Sequence, residues 1–289
     1  MKISTLLAQK IPTLSFEVFP PKTAATYDSV ANAAMEIAKQ RPDFMSVTYG
    51  AGGGTSQYTL SIAKDLQNKA NVTPLAHLTC VSSTKEYIHN RLFELKQSGI
   101  SNILALRGDI PDGLDVESLE YRYASELIAD IKQSGDFCVG GACYPEGHPE
   151  SKNQKEDIAA LKIKVDAGCE FLTSQMFFDN NICYNFMYKV REAGIKVPVV
   201  AGIMPVTNAK QIKRICSLSG TYLPSRFRAI VDRFGDNTNA MQQAGIAYAT
   251  DQIIDLLANG INNIHVYSMN KPDVAQSIRQ NLSHIIEVR

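Results

Sequence analysis

The chain has 289 residues, 45% of them hydrophobic, which is enough to bury one large core or two smaller ones. Its 29 Lys and Arg residues equal its 29 Asp and Glu residues, and like charges are not clustered, so no nucleic-acid partner is predicted. Lys10 and Pro12 break the first apolar run, and the longest uncharged stretch, 44–63, carries four glycines, so we expect a cytoplasmic protein without an export signal or a membrane segment.

Short apolar runs alternate with longer amphipathic stretches along the chain, which is the pattern of parallel strands joined by helices. The predicted strands are Leu14–Phe19, Phe44–Tyr49, Pro74–Cys80, Asn102–Arg107, Phe137–Tyr144, Phe171–Gln175, Val197–Gly202 and Asn263–Tyr267. The predicted helices include Tyr27–Lys39, Thr84–Gln97, Glu120–Gln133, Asp157–Ala167, Tyr184–Ala193, Ala209–Leu218 and Met241–Ala258. Four helices are followed by a glycine stop signal, at Gly99, Gly168, Gly194 and Gly260.

The count of eight predicted strands favours an α/β fold of one domain, a (β/α)8 TIM barrel that spans residues 1–289. A doubly wound sheet fits the same alternation, but no Pro-, Gly- or Ser-rich linker divides the chain. The segment 219–237 is longer than an ordinary connection, and its apolar residues predict an additional helix before the eighth strand.

The six cysteines form no CxxC pair, and several lie inside apolar runs. This spacing is typical of buried free thiols, and it matches neither a zinc site nor a disulfide framework. His148 with Glu146 and Glu150 is a weak metal candidate, and we expect no metal.

Polar residues occur where the predicted strands end, which is where a barrel carries its active site. They are Glu17, Thr48, His77, Arg107, Asp109, Tyr144 and Gln175. Each has a structural alternative: Glu17 as an ion-pair partner, His77 as a satisfied core histidine, Asp109 as the partner of Arg107 or a turn cap. Their number at one end of the barrel favours a small-molecule site.

The segment Gly50–Thr55 follows the second predicted strand but matches neither GxGxxG nor GxxxxGK[ST]. A Rossmann dinucleotide site is therefore not predicted. We interpret the glycines as a loop at which a ligand approaches the backbone closely, with a plain connecting loop as the alternative.

Seven segments in this order resemble methylenetetrahydrofolate reductase of the short, bacterial type, and the resemblance runs from Phe16 to Asn270. They are FEVFPPK (16–22), VTYGAG (47–52), LRGD (106–109), ACYPEGHPE (142–150), KVDAG (164–168), TSQMFFD (173–179) and GIMPV (202–206). The resemblance implies a (β/α)8 barrel that holds FAD at its C-terminal mouth. It also implies ping-pong hydride transfer from NADH or NADPH through the flavin to methylenetetrahydrofolate.

Roles are implied for individual residues. Glu17 resembles the general acid, and a burial-raised pKa, from apolar neighbours such as Phe16 and Phe19, would suit it to that task. Asp109 resembles the catalytic aspartate beside the flavin, and Gln175, Gln211 and Lys271 resemble folate contacts. The implied flavin contacts are Thr48, Tyr49, His77, Arg107, Gly108, Asp109, Tyr123, Ala124, Tyr144, His148, Asp157 and Lys164.

Three positions depart from the family pattern. Lys271 stands where an arginine is familiar, Ile215 where an aromatic ring is common, and Ala160 where a polar flavin contact is expected. The chain ends at Arg289, so we expect no adenosylmethionine-responsive domain, and the family leads us to expect a homo-oligomer. A flavin-free barrel lyase and a barrel that binds folate or flavin without turnover are the alternative functions.

Overall fold

The computed structural model describes residues 1–21, 23–49, 56–111 and 113–287. The predicted ligand loop Gly50–Thr55 and Lys22 of the first family segment lie outside the described residues. Within the part of the chain that is described, no helix is long and apolar enough to cross a bilayer.

Eight parallel strands close into a barrel in sequence order, with β1 paired to both β2 and β8. The strands are β1 (Thr13–Val18), β2 (Phe44–Val47), β3 (Pro74–Thr79), β4 (Asn102–Leu106), β5 (Cys138–Cys143), β6 (Phe171–Ser174), β7 (Val199–Ile203) and β8 (Asn263–Val266). The predicted (β/α)8 barrel is therefore confirmed, and each predicted strand overlaps an observed one.

Helices connect the strands and cover the outside of the barrel. The helices of the described residues are α1 (Ile3–Leu7), α2 (Tyr27–Ala38), α3 (Ser56–Ala70), α4 (Lys85–Gln97), α5 (Ala124–Ser134), α6 (Gln154–Asp166), α7 (Asn180–Glu192), α8 (Ala209–Ser219), α9 (Ser225–Phe234), α10 (Thr238–Ala258) and α11 (Pro272–Asn281). The additional helix predicted before the eighth strand is confirmed as α9. Sequence reasoning missed α1, α3 and α11.

Side-chain alternation along each strand separates two cores. On β1, Leu14, Phe16 and Val18 belong to the large core between the barrel and its helices. Ser15 and Glu17 point the other way, into the barrel, as a period of two requires.

The N-terminal end of the barrel is closed by α1. Ile3, Leu6 and Leu7 pack there against inward-facing residues of six strands, among them Phe44 and Phe171. The first turn is tied to β4, because the amide of Ile3 donates to Asn102 Oδ1 at 2.9 Å. The apolar run at the start of the chain thus forms the floor of the barrel.

Candidate functional site

A cavity of about 1580 Å³ opens at the C-terminal mouth of the barrel, where strands β1–β5 end. Pockets for drug-sized ligands are roughly 300–1,000 Å³, so this cavity is large enough for a dinucleotide. Glu17 lines it together with all twelve residues that the resemblance assigned to the flavin. These are Thr48, Tyr49, His77, Arg107, Gly108, Asp109, Tyr123, Ala124, Tyr144, His148, Asp157 and Lys164.

Gly108 brings backbone to the cavity surface. Its φ of +86° lies in the left-handed region, and a Cβ there would come within 2.7 Å of Val81 Cγ1. A side chain would therefore meet both backbone strain and a clash with the β3–α4 loop. Glycine at this position lets the end of β4 lie directly against the wall of the cavity.

Glu17 stands between the cavity and the barrel interior. Its carboxylate Oε2 accepts a hydrogen bond from Ser46 Oγ at 3.2 Å. Nε2 of His77 lies 3.7 Å from the same oxygen, and Nε2 of His265 lies 3.8 Å away. One carboxylate is thus surrounded by a hydroxyl and two imidazoles from three other strands.

The Glu17 pKa differs from the sequence prediction. Burial raises it, but His265, His77 and Ser46 together lower it more, so the pKa of Glu17 lies below its usual value. The expectation that Phe16 and Phe19 raise it was wrong. Phe16 faces the outer core, and Phe19 is 38% exposed, so neither ring forms an apolar pocket around the carboxyl.

His77 is a neutral histidine at the cavity wall. Burial lowers its pKa to about 4, and nearby Glu17 only partly offsets that effect. Its Nε2 is buried and accepts or donates no hydrogen bond within the described residues. Burying a ring nitrogen without a hydrogen-bond partner costs free energy. His77 Nε2 is therefore well placed to bond a polar group of a ligand in the cavity.

Cationic groups gather on one side of the cavity. Arg107 forms a bidentate pair with Glu150, with NH1 at 2.7 Å from Oε2, and this contact raises the pKa of Arg107. Lys164 Nζ donates to the carbonyl of Ala142 at 2.9 Å, and burial lowers its pKa. The partner of Arg107 in the structure is therefore Glu150. It is not Asp109, the partner that the sequence analysis considered as an alternative.

Two further polar residues lie near these cations. His148 packs edge-on against Tyr144, with ring centroids 4.6 Å apart, and burial lowers the pKa of the imidazole. Asp157 on α6 is buried, which raises its pKa, and its Oδ2 has no hydrogen-bond partner among the described residues. This side of the cavity thus offers one hydrogen-bond acceptor without a partner among the described residues, Asp157 Oδ2, together with the donors of Arg107 and Lys164.

Asp109 follows β4 and is exposed on the cavity wall. Within the described ranges its carboxylate has no hydrogen-bond or salt-bridge partner. Tyr123 is likewise exposed at 63%, and its backbone amide donates to Glu126 Oε2 at 3.1 Å at the start of α5. Both residues therefore keep their polar groups available to a bound molecule.

The three predicted folate contacts do not line the large cavity. Gln175 follows β6, and its side-chain Oε1 accepts a hydrogen bond from the amide of Met176 at 3.0 Å. Gln211 and Lys271 line a second, much smaller pocket with Ile215, and Lys271 Nζ donates to Thr207 Oγ1 at 2.7 Å. Sequence reasoning thus placed the folate contacts at the same mouth as the flavin contacts, whereas Gln211 and Lys271 line a separate small pocket and Gln175 lines neither of the two.

Sequence reasoning missed two parts of the site. The β3–α4 loop supplies Ser82, Ser83 and Thr84 to the cavity wall, and no strand-end rule points to them. Ser46 and His265 face Glu17 from inside the barrel. The signal that could have found them is that Ser46 on β2 and His265 on β8 are polar residues inside apolar strands, with apolar neighbours on both sides in the sequence.

Metal-binding groups and disulfides are not features of the described site. In the part of the chain that the structure describes, no group of three or more His, Cys, Asp or Glu side chains could hold a metal ion. All six cysteines are free thiols, five of them buried and Cys216 half-buried. Burial raises the pKa of Cys80, which follows β3, to about 12, so this thiol is protonated.

The sequence matches the family model of methylenetetrahydrofolate reductase over residues 2–283. The 5,10-methylenetetrahydrofolate reductase of Escherichia coli (strain K12) is 33% identical over 265 residues, which cover 92% of this chain and 88% of the relative. Methylenetetrahydrofolate reductase (NADH) 1 of Arabidopsis thaliana is 36% identical over 99% of this chain and 51% of its own length. The chain therefore spans about half the length of the plant relatives that it matches.

A solved structure shares the fold at low sequence identity. It is an uncharacterized protein from Clostridium thermocellum that binds two copies of 5-methyl-5,6,7,8-tetrahydrofolic acid. The TM-score is 0.70 with 12% identity, and the match covers 99% of this chain and 100% of that one. At this identity the likeness establishes the barrel architecture alone.

Proposed function

The chain belongs to the methylenetetrahydrofolate reductase family, and on that premise we propose that it reduces 5,10-methylenetetrahydrofolate to 5-methyltetrahydrofolate. With FAD held in the cavity, the electrons would come from NADH or NADPH in one half-reaction and would reach the folate in a second. The observation that carries the proposal is Glu17, a carboxyl that accepts a hydrogen bond from Ser46 and lies beside two imidazoles at the wall of a cavity large enough for a dinucleotide. A barrel that only binds its ligand has no need to keep a half-buried carboxylate in this position.

The cavity suits FAD in its charges as well as its size. Arg107, Lys164 and His148 offer cationic or donor groups that complement a pyrophosphate. Asp157 Oδ2 and His77 Nε2 offer buried polar atoms without partners among the described residues, which fit hydroxyl and ring groups of the cofactor. When bound, FAD would supply the hydride chemistry, and the protein supplies position and electrostatics.

Glu17 delivers a proton in the proposed reaction. The methylene bridge of the folate opens to an iminium cation when its departing nitrogen is protonated, and the C–N bond breaks as the N–H bond forms. Asp109, exposed on the same cavity wall, places a negative charge where that cation develops. The neutral His77 adds no positive charge against the cation.

Folate recognition extends beyond the large cavity in this proposal. Gln175 presents an amide for the pterin once its contact with the Met176 amide is exchanged for a ligand. Lys271 and Gln211 in the small pocket help to hold the folate, Lys271 near its glutamate end. The β8–α11 loop connects this small pocket to Glu17, because Ser268 in that loop donates through its Oγ to the backbone carbonyl of Glu17 at 3.0 Å.

The visible absorbance spectrum of the purified protein tests the proposal, recorded before and after anaerobic NADH and again after methylenetetrahydrofolate. We expect a flavin spectrum that bleaches with the nicotinamide and returns with the folate. Bound flavin that only NADPH bleaches would assign the donor. A colourless protein that takes up no FAD would refute the proposal and favour a flavin-free lyase, and flavin that neither nucleotide bleaches would favour a binding protein without turnover.

A further inference from the structure

Behind Glu17 a continuous chain of hydrogen bonds runs into the closed interior of the barrel. Ser46 Oγ lies 3.2 Å from Glu17 Oε2 and 3.1 Å from His265 Nε2. The other ring nitrogen, His265 Nδ1, lies 2.7 Å from Ser15 Oγ. Ser15, Ser46 and His265 are each 1% exposed or less, so water does not compete for these contacts.

The far end of the chain sets the protonation of His265. Ser15 Oγ donates to the carbonyl of Ile264 at 3.0 Å, and a hydroxyl has a single hydrogen to donate. In the arrangement in which Ser15 gives that hydrogen to Ile264, Ser15 accepts from His265, and Nδ1 carries a proton. The remaining question is whether Nε2 carries one too.

The near end of the chain answers that question. When Glu17 is a carboxylate, the Ser46 hydroxyl donates to it, and Ser46 can then only accept from His265 Nε2. His265 is in that case a doubly protonated imidazolium. When Glu17 is protonated, every donor reverses, and His265 is neutral. The unit of Glu17, Ser46 and His265 therefore holds one shared proton in two arrangements.

We infer that His265 and Ser46 form a proton relay to Glu17, in which His265 holds the proton that Glu17 delivers to the folate nitrogen. The transfer moves the Nε2 proton to Ser46 Oγ while the Ser46 proton moves to Glu17 Oε2, and no bond other than these changes. His265 is thus a positioning residue that acts through the carboxyl. This inference rests on the proposed function in one respect only, namely that the folate nitrogen is the group that finally accepts the proton.

The relay explains how a carboxyl with a lowered pKa can still act as an acid. A lone Glu17 carboxylate at neutral pH has no proton to give, whereas in the relay a proton reaches it from His265 through Ser46. The other titratable groups that face the pair are His77 from β3 and Tyr267 from β8. Burial keeps His77 neutral and raises the pKa of Tyr267 well above its usual value, so neither supplies the proton.

Nitrogen-15 spectra of histidine-labelled protein test the relay without flavin or folate. The chain has five histidines, and loss of one signal in His265→Asn assigns the ring. At neutral pH we expect both ring nitrogens of His265 to be protonated in the wild type and only Nδ1 in Glu17→Gln. A neutral His265 in the wild type, or no difference between the two proteins, would overturn the relay.

Kinetics provide the second readout. Ser46→Ala should slow flavin reoxidation by methylenetetrahydrofolate by about 10- to 100-fold at neutral pH, because proton transfer typically contributes at least that much. The rate should recover as the pH is lowered, since Glu17 then takes its proton from the cavity. Ser46→Thr should restore the neutral-pH rate, and flavin reduction by the nicotinamide should be unchanged in all variants.

Thr173→Val is the matched control, because Thr173 also places a buried hydroxyl in this barrel, on β6, and that hydroxyl has no partner among the described residues. It should leave both readouts unchanged. A Ser46→Ala defect of the same size at every pH would indicate a structural effect and refute the relay. A wild-type protein without folate reduction would refute the proposed function, while the nitrogen-15 result would still decide the relay.

Discussion

At the N-terminal end of the barrel interior, Leu75, Leu104 and Phe171 pack beneath α1 and leave no polar group without a partner in that cluster. At the C-terminal end, β1 carries Glu17 and β3 carries His77, whose buried ring nitrogen Nε2 is unpaired among the described residues. The floor is a packed core, whereas the mouth holds charge that packing alone does not stabilise. The contrast teaches that one set of strands divides stability and chemistry between its two ends.

The largest effect is expected at the mouth. Glu17→Gln keeps the shape of the side chain but removes the proton donor, so the folate half-reaction should fall by about 10²–10⁴-fold. Flavin reduction by the nicotinamide should stay near normal. Anaerobic stopped-flow absorbance measures the two steps separately. Equal losses in both half-reactions would remove Glu17 from the role of acid.

The opposite effect is expected at the floor. Phe171 is fully buried, and its ring fills the space over Gly140, where a Cβ would come within 2.4 Å of it. Phe171→Ala should lower the free energy of unfolding by about 3–5 kcal/mol, because it opens a cavity in a packed core. Urea unfolding measures the loss. Both half-reactions, normalised to folded protein, should be unchanged, and a selective loss of folate reduction would break the proposed division.

The pH dependence of stability sharpens the comparison. His77 has a folded pKa of about 4, below the unfolded value of 6.5, so the unfolded chain binds more protons between those values. The stabilisation is complete above pH 6.5 and is lost as the pH falls toward 4, by up to about 3 kcal/mol. Urea unfolding at pH 7.5 and 4.5 should show this loss in the wild type and a smaller one in His77→Gln. Identical pH profiles would contradict a buried neutral His77.

The smallest effect is expected at the rim. Asp109 is exposed, so solvent screens its charge, and Asp109→Asn should slow the folate half-reaction by about tenfold with FAD still bound. The matched comparison is Glu17→Gln, in which the removed charge is held inside the site. Flavin reoxidation after mixing with methylenetetrahydrofolate gives the rate. An unchanged rate would place Asp109 outside the reaction.

The sequence predicted the architecture because its signals are local. Apolar runs of strand length and the glycines that end the helices place each βα unit without knowledge of the others. The missed α1 shows the limit of such signals. A helix of five residues has no stability of its own, and Ile3, Leu6 and Leu7 become helical only because the barrel floor buries them.

The strand-end residues of the candidate site were predictable from their positions in the sequence. The contacts that depend on the pairing register of the strands were not. Arg107, Tyr144 and the other strand-end residues line the cavity because carboxyl ends of parallel strands meet at one mouth. The pKa direction of Glu17 failed for a different reason. Its neighbours in sequence point away, and the groups that set it, Ser46 and His265, come from strands that only barrel closure brings together.

The pairing of β1 with β8 has a consequence for biosynthesis. Ser15 pairs with His265, so the last side of the barrel cannot form until some 250 further residues have left the ribosome. At about 5–20 residues per second, that interval lasts roughly 12–50 s, during which β1 lacks its β8 partner and presents an unpaired edge. The nascent chain depends on protection from aggregation throughout this time. Glu17 acquires its complete set of partners only in the last step, so an unfinished chain has no competent acid.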